Sequence, residues 1–266
     1  MRTGKWLLLS GALLAALGCK NMMDEAASPT GPTALAPAGH ENACNHASPR
    51  APWSGDECYD PTTDPDDFAG VDEDNPFFPL VPGTTYHYAG ETADGLETND
   101  VFVTGDTKMI LGVETRVVHD LVYLEGDLIE ETFDWYAQDG EGNVWYFGED
   151  SREIENNVIV STEGSWEAGM EGARPGIIML ADPKIGTTYR QEFSLDVAED
   201  LARVVSLNRS VSVPYGDFDG CLKTQDWNAL EPASQEQKFY CPGIGTVLEI
   251  GKRNERVELA DVEVVP

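Results

Sequence analysis

The chain has 266 residues, with 17 Lys and Arg against 48 Asp and Glu, a formal net charge of −31 at pH 7. A chain this acidic excludes nucleic-acid binding through phosphates, which needs Lys and Arg, and attachment by charge to an anionic bilayer. With 41% hydrophobic residues it is too apolar to be wholly disordered, and its length allows one large domain or two small ones.

Arg2 and Lys5 give a short positive start, and residues 6–17 form an apolar run broken only by Ser10 and Gly11. The run is short for a bilayer span and has the pattern of a signal-peptide core. It ends in Ala15-Ala16-Leu17-Gly18-Cys19, which resembles the lipobox of bacterial lipoproteins. It departs from that pattern at Ala16, where a larger aliphatic residue is usual. The resemblance implies cleavage after residue 18 and acylation of Cys19. Two acyl chains hold a protein stably on a membrane where one does not. Lys20 stands where an Asp would signal inner-membrane retention, so the resemblance implies the outer membrane of the bacterial envelope. Cleavage removes two positive residues and no acid, which takes the mature charge from −31 to −33.

Residues 19–74 read as a disordered, lipid-anchored tether. Residues 26–39 are Ala, Ser, Pro, Thr and Gly with one large apolar residue, Leu35, and residues 56–74 turn to Asp, Pro, Thr and Glu. Such segments bury too little apolar surface to offset their ordering entropy. As a flexible coil the tether would reach roughly 35–40 Å. Within it Asp64, Asp66, Asp72 and Asp74 are candidate calcium ligands, since calcium takes hard oxygen donors. The run lacks the Gly and Glu of an EF-hand, and a solvated acidic loop is the competing reading. No other cofactor is expected.

Apart from Cys19 the cysteines are Cys44, Cys58, Cys221 and Cys241. An exported compartment favours disulfides. Four cysteines allow three pairings, and sequence proximity favours Cys44 with Cys58 and Cys221 with Cys241. His40, Cys44, His46 and Cys58 match no standard zinc spacing.

From residue 75 onward the chain reads as all-β. Runs rich in Val, Ile, Thr, Tyr, Phe and Trp alternate with Gly, Asp and Asn. Strands are predicted at 84–91, 100–105, 115–124, 128–138, 144–148 and 158–162. Later strands are predicted at 187–193, 202–207, 210–213, 221–227, 236–241, 246–250 and 257–264. A short helical turn is expected near 197–203. Glu125-Gly126-Asp127 and residues 139–143 read as hairpin turns. Glu131, Phe133 and Trp135 fall on one side of their strand, with Glu130, Thr132, Asp134 and Tyr136 on the other. Val101 and Val103 share a side, opposite Asp100 and Phe102. Trp135, Tyr136, Trp145, Tyr146 and Phe147 form an aromatic hairpin, expected in the core.

The folded part also looks duplicated. Gly83-Thr84-Thr85-Tyr86 recurs as Gly186-Thr187-Thr188-Tyr189, an offset of 103. At that offset Val101 lies over Val204. One inserted residue then sets Gly112 over Gly216 and Trp135-Tyr136-Ala137 over Phe239-Tyr240-Cys241. The offset returns to 103 for Gly142 over Gly245 and Val144 over Val247. Two β repeats follow, 75–170 and 171–266, each an antiparallel meander with an apolar face. They are expected to cover each other as a sandwich or to join as a curved half-barrel. Residues 163–179 lie between them, glycine-rich and therefore irregular by expectation. Trp166, Met170, Ile177 and Met179 there are candidates for a ligand rim, against a plug over the sheet end.

Asn75-Pro76-Phe77-Phe78-Pro79-Leu80-Val81-Pro82-Gly83-Thr84-Thr85-Tyr86 resembles the opening motif of a family of uncharacterised bacterial exported proteins and lipoproteins. Asp134-Trp135-Tyr136-Ala137-Gln138-Asp139 with Gly142-Asn143-Val144-Trp145-Tyr146-Phe147-Gly148-Glu149 resembles its central motif. Ala198-Glu199-Asp200 and residues 240–245 are similar to its later ones. The resemblance spans about residues 66–264 and implies no established activity and no catalytic residues. Residues 230–247 are more loosely similar to half-barrel domains of the lipoprotein-carrier kind.

Gly-x-Ser-x-Gly, Walker A and His-Glu-x-x-His are absent, and His87 and His119 stand in strands without a nucleophile motif beside them. The expectation is a non-catalytic binding module with a β-sheet concavity for an apolar or lipid-like ligand. The alternative is an interaction lipoprotein with a filled core and a protein partner. A hydrolase with paired carboxylates in a cleft is the third reading.

Overall fold

A computed structural model describes residues 59–69, 74–228, 230 and 234–265. Cys19, Cys44, Cys58 and Asp72 lie outside these residues, as do the signal sequence and most of the tether.

The described chain is nearly all strand. In chain order the strands are β1 (Thr84–Thr92), β2 (Gly95–Ile110), β3 (Val113–Leu124), β4 (Asp127–Gln138), β5 (Val144–Glu155), β6 (Val158–Ser161), β7 (Trp166–Glu167) and β8 (Arg174–Met179). They continue as β9 (Thr188–Arg190), β10 (Glu192–Phe193), β11 (Asp200–Val213), β12 (Gly216–Asn228), β13 (Gln235–Cys241), β14 (Gly245–Ile250) and β15 (Arg256–Val264). The 202–207 and 210–213 runs are one strand, β11. No helical turn forms near 197–203: Ser194 and Ala198 close a tight β-turn, and β11 begins at Asp200.

All pairings are antiparallel, in the order β10-β8-β5-β4-β3-β2-β1-β15-β14-β13-β12-β11-β9, with β6 and β7 added beside β5. Two meanders with the same internal order are visible. One is β1-β2-β3-β4-β5-β8 and the other is β9-β11-β12-β13-β14-β15. The first strand of one meander pairs with the last strand of the other, β1 with β15. Turns agree with the expected offset. Thr84 N donates to Val81 O, and Thr187 N donates to Lys184 O; Gly83 and Gly186 both take φ near 90°, at 86° and 89°. Pro82 and Gly83 thus supply the residues a type II turn needs.

The sandwich alternative gives way to a single sheet, and that sheet curves. β3 and β13 stand five strand spacings apart, roughly 24 Å on a flat sheet. Asp120 of β3 and Lys238 of β13 nevertheless line one cavity. Register shifts in β1, β2 and β4 mark bulges, which increase twist and bend the strands inward. The path stays open, and its two end strands, β9 and β10, are neighbouring pieces of one segment separated by Gln191. A continuous core on the concave face draws on both meanders, including Tyr86, Val103, Val118, Tyr146, Leu222, Tyr240 and Leu259.

Residues 59–69 correct the expected end of the tether. Tyr59 is fully buried; its hydroxyl donates to Pro175 O at 2.7 Å, and its ring packs edge-on against Phe193. Phe68 packs edge-on against Trp145 and Phe147, and Gly140 N donates to Asp67 O. Two aromatic anchors give this stretch the apolar burial that its acidic composition concealed.

Residues 163–179 are more regular than their glycines suggest, because β7 and β8 both extend the sheet from β5. Gly176 makes this possible: a Cβ there would lie 2.2 Å from Gln191 C. Glycine is needed at this crossing for contact, not for flexibility.

Cys221 and Cys241 are bonded across β12 and β13, as sequence proximity favoured.

Candidate ligand-binding site

Directly opposed residues in an antiparallel sheet share a face. Tyr86, Val101, Asp120, Thr132 and Ser151 therefore form one row across β1 to β5. The next row includes Val118, Asp134 and Glu149. Both rows look into the concave side. On β4 it is the Glu130, Thr132, Asp134 and Tyr136 side that is buried, while Glu131 and Phe133 are only partly covered. The polar side of the strand is thus the inner one. On the outer face His119 stacks on Phe133 at 4.4 Å and contacts Glu131, which also meets Arg152. His87 contacts Asp100 at 2.6 Å on the same outer side. Neither histidine reaches the interior.

The concave face holds a partly open cavity of about 80 Å³. That is room for roughly five to eight water positions at about 10–15 Å³ each. Its walls are aromatic and aliphatic, from Phe78, Tyr86, Tyr88, Tyr136 and Tyr240 to Ile178 and Ile244. Its charged groups are Asp120 of β3, Asp134 of β4, Lys238 of β13 and Glu249 of β14. The opening motif forms one side. Asn75 donates through Nδ2 to Gly142 O and through N to Gln138 Oε1, and its own Oδ1 accepts from Phe77 N. Gly243 N donates to Pro76 O. The motif thereby bridges the β4–β5 and β13–β14 turns and sets Phe78 edge-on against Tyr136.

Burial governs the charges inside. It pushes Asp134 up to about 7, against hydrogen bonds from Tyr146 and Tyr136 that favour the carboxylate. Burial, with Asp134 and Glu130 adding to it, raises Asp120 well above the usual range, against the 2.5 Å bond from Asn99 Nδ2. Burial raises Glu249 to about 8, opposed by Lys238. Burial also works against the Lys238 ammonium, but Glu249, Asp226, Glu236 and Asp200 outweigh it and hold the amine charged. Lys238 Nζ lies 3.7 Å from Glu249 Oε1, longer than a strong ion-pair hydrogen bond. Glu249 is 1% exposed, and its Oε2 has no hydrogen-bond partner among the described residues. The carboxyl seam continues away from the cavity through Glu149 to Glu192, which accepts from Trp166 Nε1 at 3.2 Å.

No protein-family model matches the chain, and no curated protein does. Two solved structures are similar to it. One is described as an exported protein with a YmcC-like fold from Bacteroides fragilis NCTC 9343; the match covers 70% of this chain and 98% of that one, at 15% identity and a TM-score of 0.41. The other is described as a lipoprotein from Parabacteroides distasonis ATCC 8503; it matches at 14% identity and a TM-score of 0.38, over 70% of this chain and 98% of that one.

The expected ligand rim is not where the cavity lies. Trp166, Ile177 and Met179 are buried in the core through β7 and β8, and Met170 stands exposed in the turn between them. Ile178 is the residue of that segment that reaches the cavity. Of the calcium candidates, Asp64, Asp66 and Asp74 belong to the described residues, among which no group of three His, Cys, Asp or Glu could hold a metal ion. Asp64 caps a short 3-10 turn by accepting from Asp66 N, whereas Asp74 accepts from Gln138 Nε2. Asp139 holds the β4–β5 turn, accepting from Glu141 N, Asn143 N, Asn143 Nδ2 and Trp145 Nε1.

The interior charges were the part sequence reasoning missed. Alternation separates two faces of β4 without saying which is inside. The expected repeat held a usable signal, because its 104-residue register sets Lys238 over Asp134. Opposite charges at equivalent positions of two facing halves mark a shared polar interior.

Proposed function

We propose that the protein is exported and lipid-anchored through Cys19, and that its folded body is a non-catalytic module binding a small molecule in the concave cavity. The carrying observation is an aromatic-walled cavity that ends on a buried carboxyl oxygen, Glu249 Oε2, with no hydrogen-bond partner among the described residues. A buried acceptor left unsatisfied costs about 1–3 kcal/mol, so an atom of this kind facing a cavity calls for a partner from within it. The cavity is far smaller than the roughly 300–1,000 Å³ typical of drug-sized ligands, which favours a compact guest over a large lipid-like one. The Cys221–Cys241 bond fits an oxidising compartment, and Lys20 fits an outer-membrane destination.

Native mass spectrometry of protein purified from its own membranes tests the binding role. A small adduct lost on activation is expected. A bare mass, with no adduct recovered under gentle release, would overturn it. The anchor is tested separately: globomycin and Cys19→Ala should each block maturation, and unchanged processing would refute lipidation.

One observation favours an interaction role instead. Val158, Ile159 and Val160 are consecutive apolar residues on β6, each about half exposed or more. Single scattered apolar residues need no explanation, but a contiguous patch does.

A further inference from the structure

We propose that the cavity takes a small organic cation, an amine of about five to eight non-hydrogen atoms, with its ammonium among Asp120, Asp134 and Glu249. This inference rests on the binding-module reading and specifies the chemical class of its ligand.

Four observations point the same way. First, three carboxyls face one ammonium, so the cavity has acceptors in excess. Lys238 is already surrounded by Glu249, Asp226, Glu236 and Asp200. Second, Glu249 lines the cavity, and its buried Oε2 accepts from none of the described residues. Third, tyrosine rings wall the space from both meanders: Tyr86 and Tyr88 of β1, Tyr136 of β4 and Tyr240 of β13. Ring faces attract a desolvated cation through the negative face of their quadrupole. Fourth, the apolar wall continues past the rings to Ile178 and Ile244, which suits the alkyl part of an organic ammonium. An anion would meet the carboxyl excess and could reach Lys238 only by displacing the acids around it.

Proton exchange supports the same assignment. Burial keeps these carboxyls toward their neutral form when no cation is present. An entering ammonium would take the place of a proton, which leaves to solvent, so charge is conserved inside.

Isothermal titration of the full mature chain in detergent tests this with three matched compounds: n-butylammonium, n-butanol and butyrate. Butylammonium should bind at least tenfold more tightly than butanol, and butyrate should not bind. Glu249→Gln, and independently Asp120→Asn, should reduce the ammonium-to-butanol ratio at least tenfold. Glu131→Gln on the outer face should leave it unchanged. Equal binding of butanol and butylammonium would sink the cation assignment and leave the binding module standing. Preferred binding of butyrate would move the recognition to Lys238. Failure of all three compounds to bind the unsubstituted chain would sink both readings.

Discussion

Lys238 stands on β13 with its ammonium inside the sheet, where Asp200, Asp226, Glu236 and Glu249 all raise its proton affinity. Removing one partner of a buried ionic group is costly because the remainder stays desolvated. Lys238→Met keeps much of the side-chain volume and deletes only the charge. It should cost roughly 3–5 kcal/mol at pH 8, read as a lower unfolding midpoint by circular dichroism. The carboxyls can escape by protonating, so the deficit should shrink at pH 5. An equal deficit at both pH values would mean that Lys238 acts through packing alone.

Among the elements, β8 shows best what sequence could not reveal. Its residues are β-forming, with Ile177, Ile178 and Met179 in a row, but Gly172 and Gly176 read as breakers. The reason for Gly176 lies across the sheet in the Gln191–Glu192 backbone, which no local pattern reports. Gly176→Ala should therefore destabilise by at least about 3 kcal/mol, the upper end for overpacking, since the obstacle is backbone that cannot rotate away. Chemical denaturation checks this; a change within 0.5 kcal/mol, roughly the noise of a surface substitution, would show that β10 can move aside. Strands whose faces alternate between polar and apolar side chains were legible, as β1, β3, β4 and β13 show. Glu125-Gly126 was legible as the β3–β4 turn because both residues take positive φ, 52° and 87°, as a type I′ hairpin needs. The docked stretch 59–69 was not legible. Its order depends on Tyr59 and Phe68 meeting surfaces more than 70 residues away.

At the scale of the whole molecule, the net charge of −31 divides into two populations. The outer carboxylates repel one another and are screened by salt. Burial shifts the inner ones toward their neutral form. Burial is the leading cause that raises Glu97, Glu130, Asp134 and Asp200 to about 7 and Glu249 to about 8. In the unfolded chain these groups titrate near 4. The folded state therefore binds more protons than the unfolded state between about pH 4 and pH 8, and stability must fall as pH rises through that window. The stabilisation is complete below pH 4 for these groups and is lost as pH passes 7 to 8. One such group contributes about 1.4 kcal/mol per pH unit, which lowers the thermal midpoint by roughly 3–6 °C per unit in a domain of this size. Denaturation at pH 5, 6.5 and 8 should give midpoints in descending order. Salt separates the two populations. At 0.5 M the screening length is about 4 Å, so repulsion between surface charges fades while the cost of ionising a buried acid remains. The slope should persist in high salt. A midpoint that rises from pH 5 to 8, or a slope abolished by salt, would place the excess acid on the surface rather than inside the sheet.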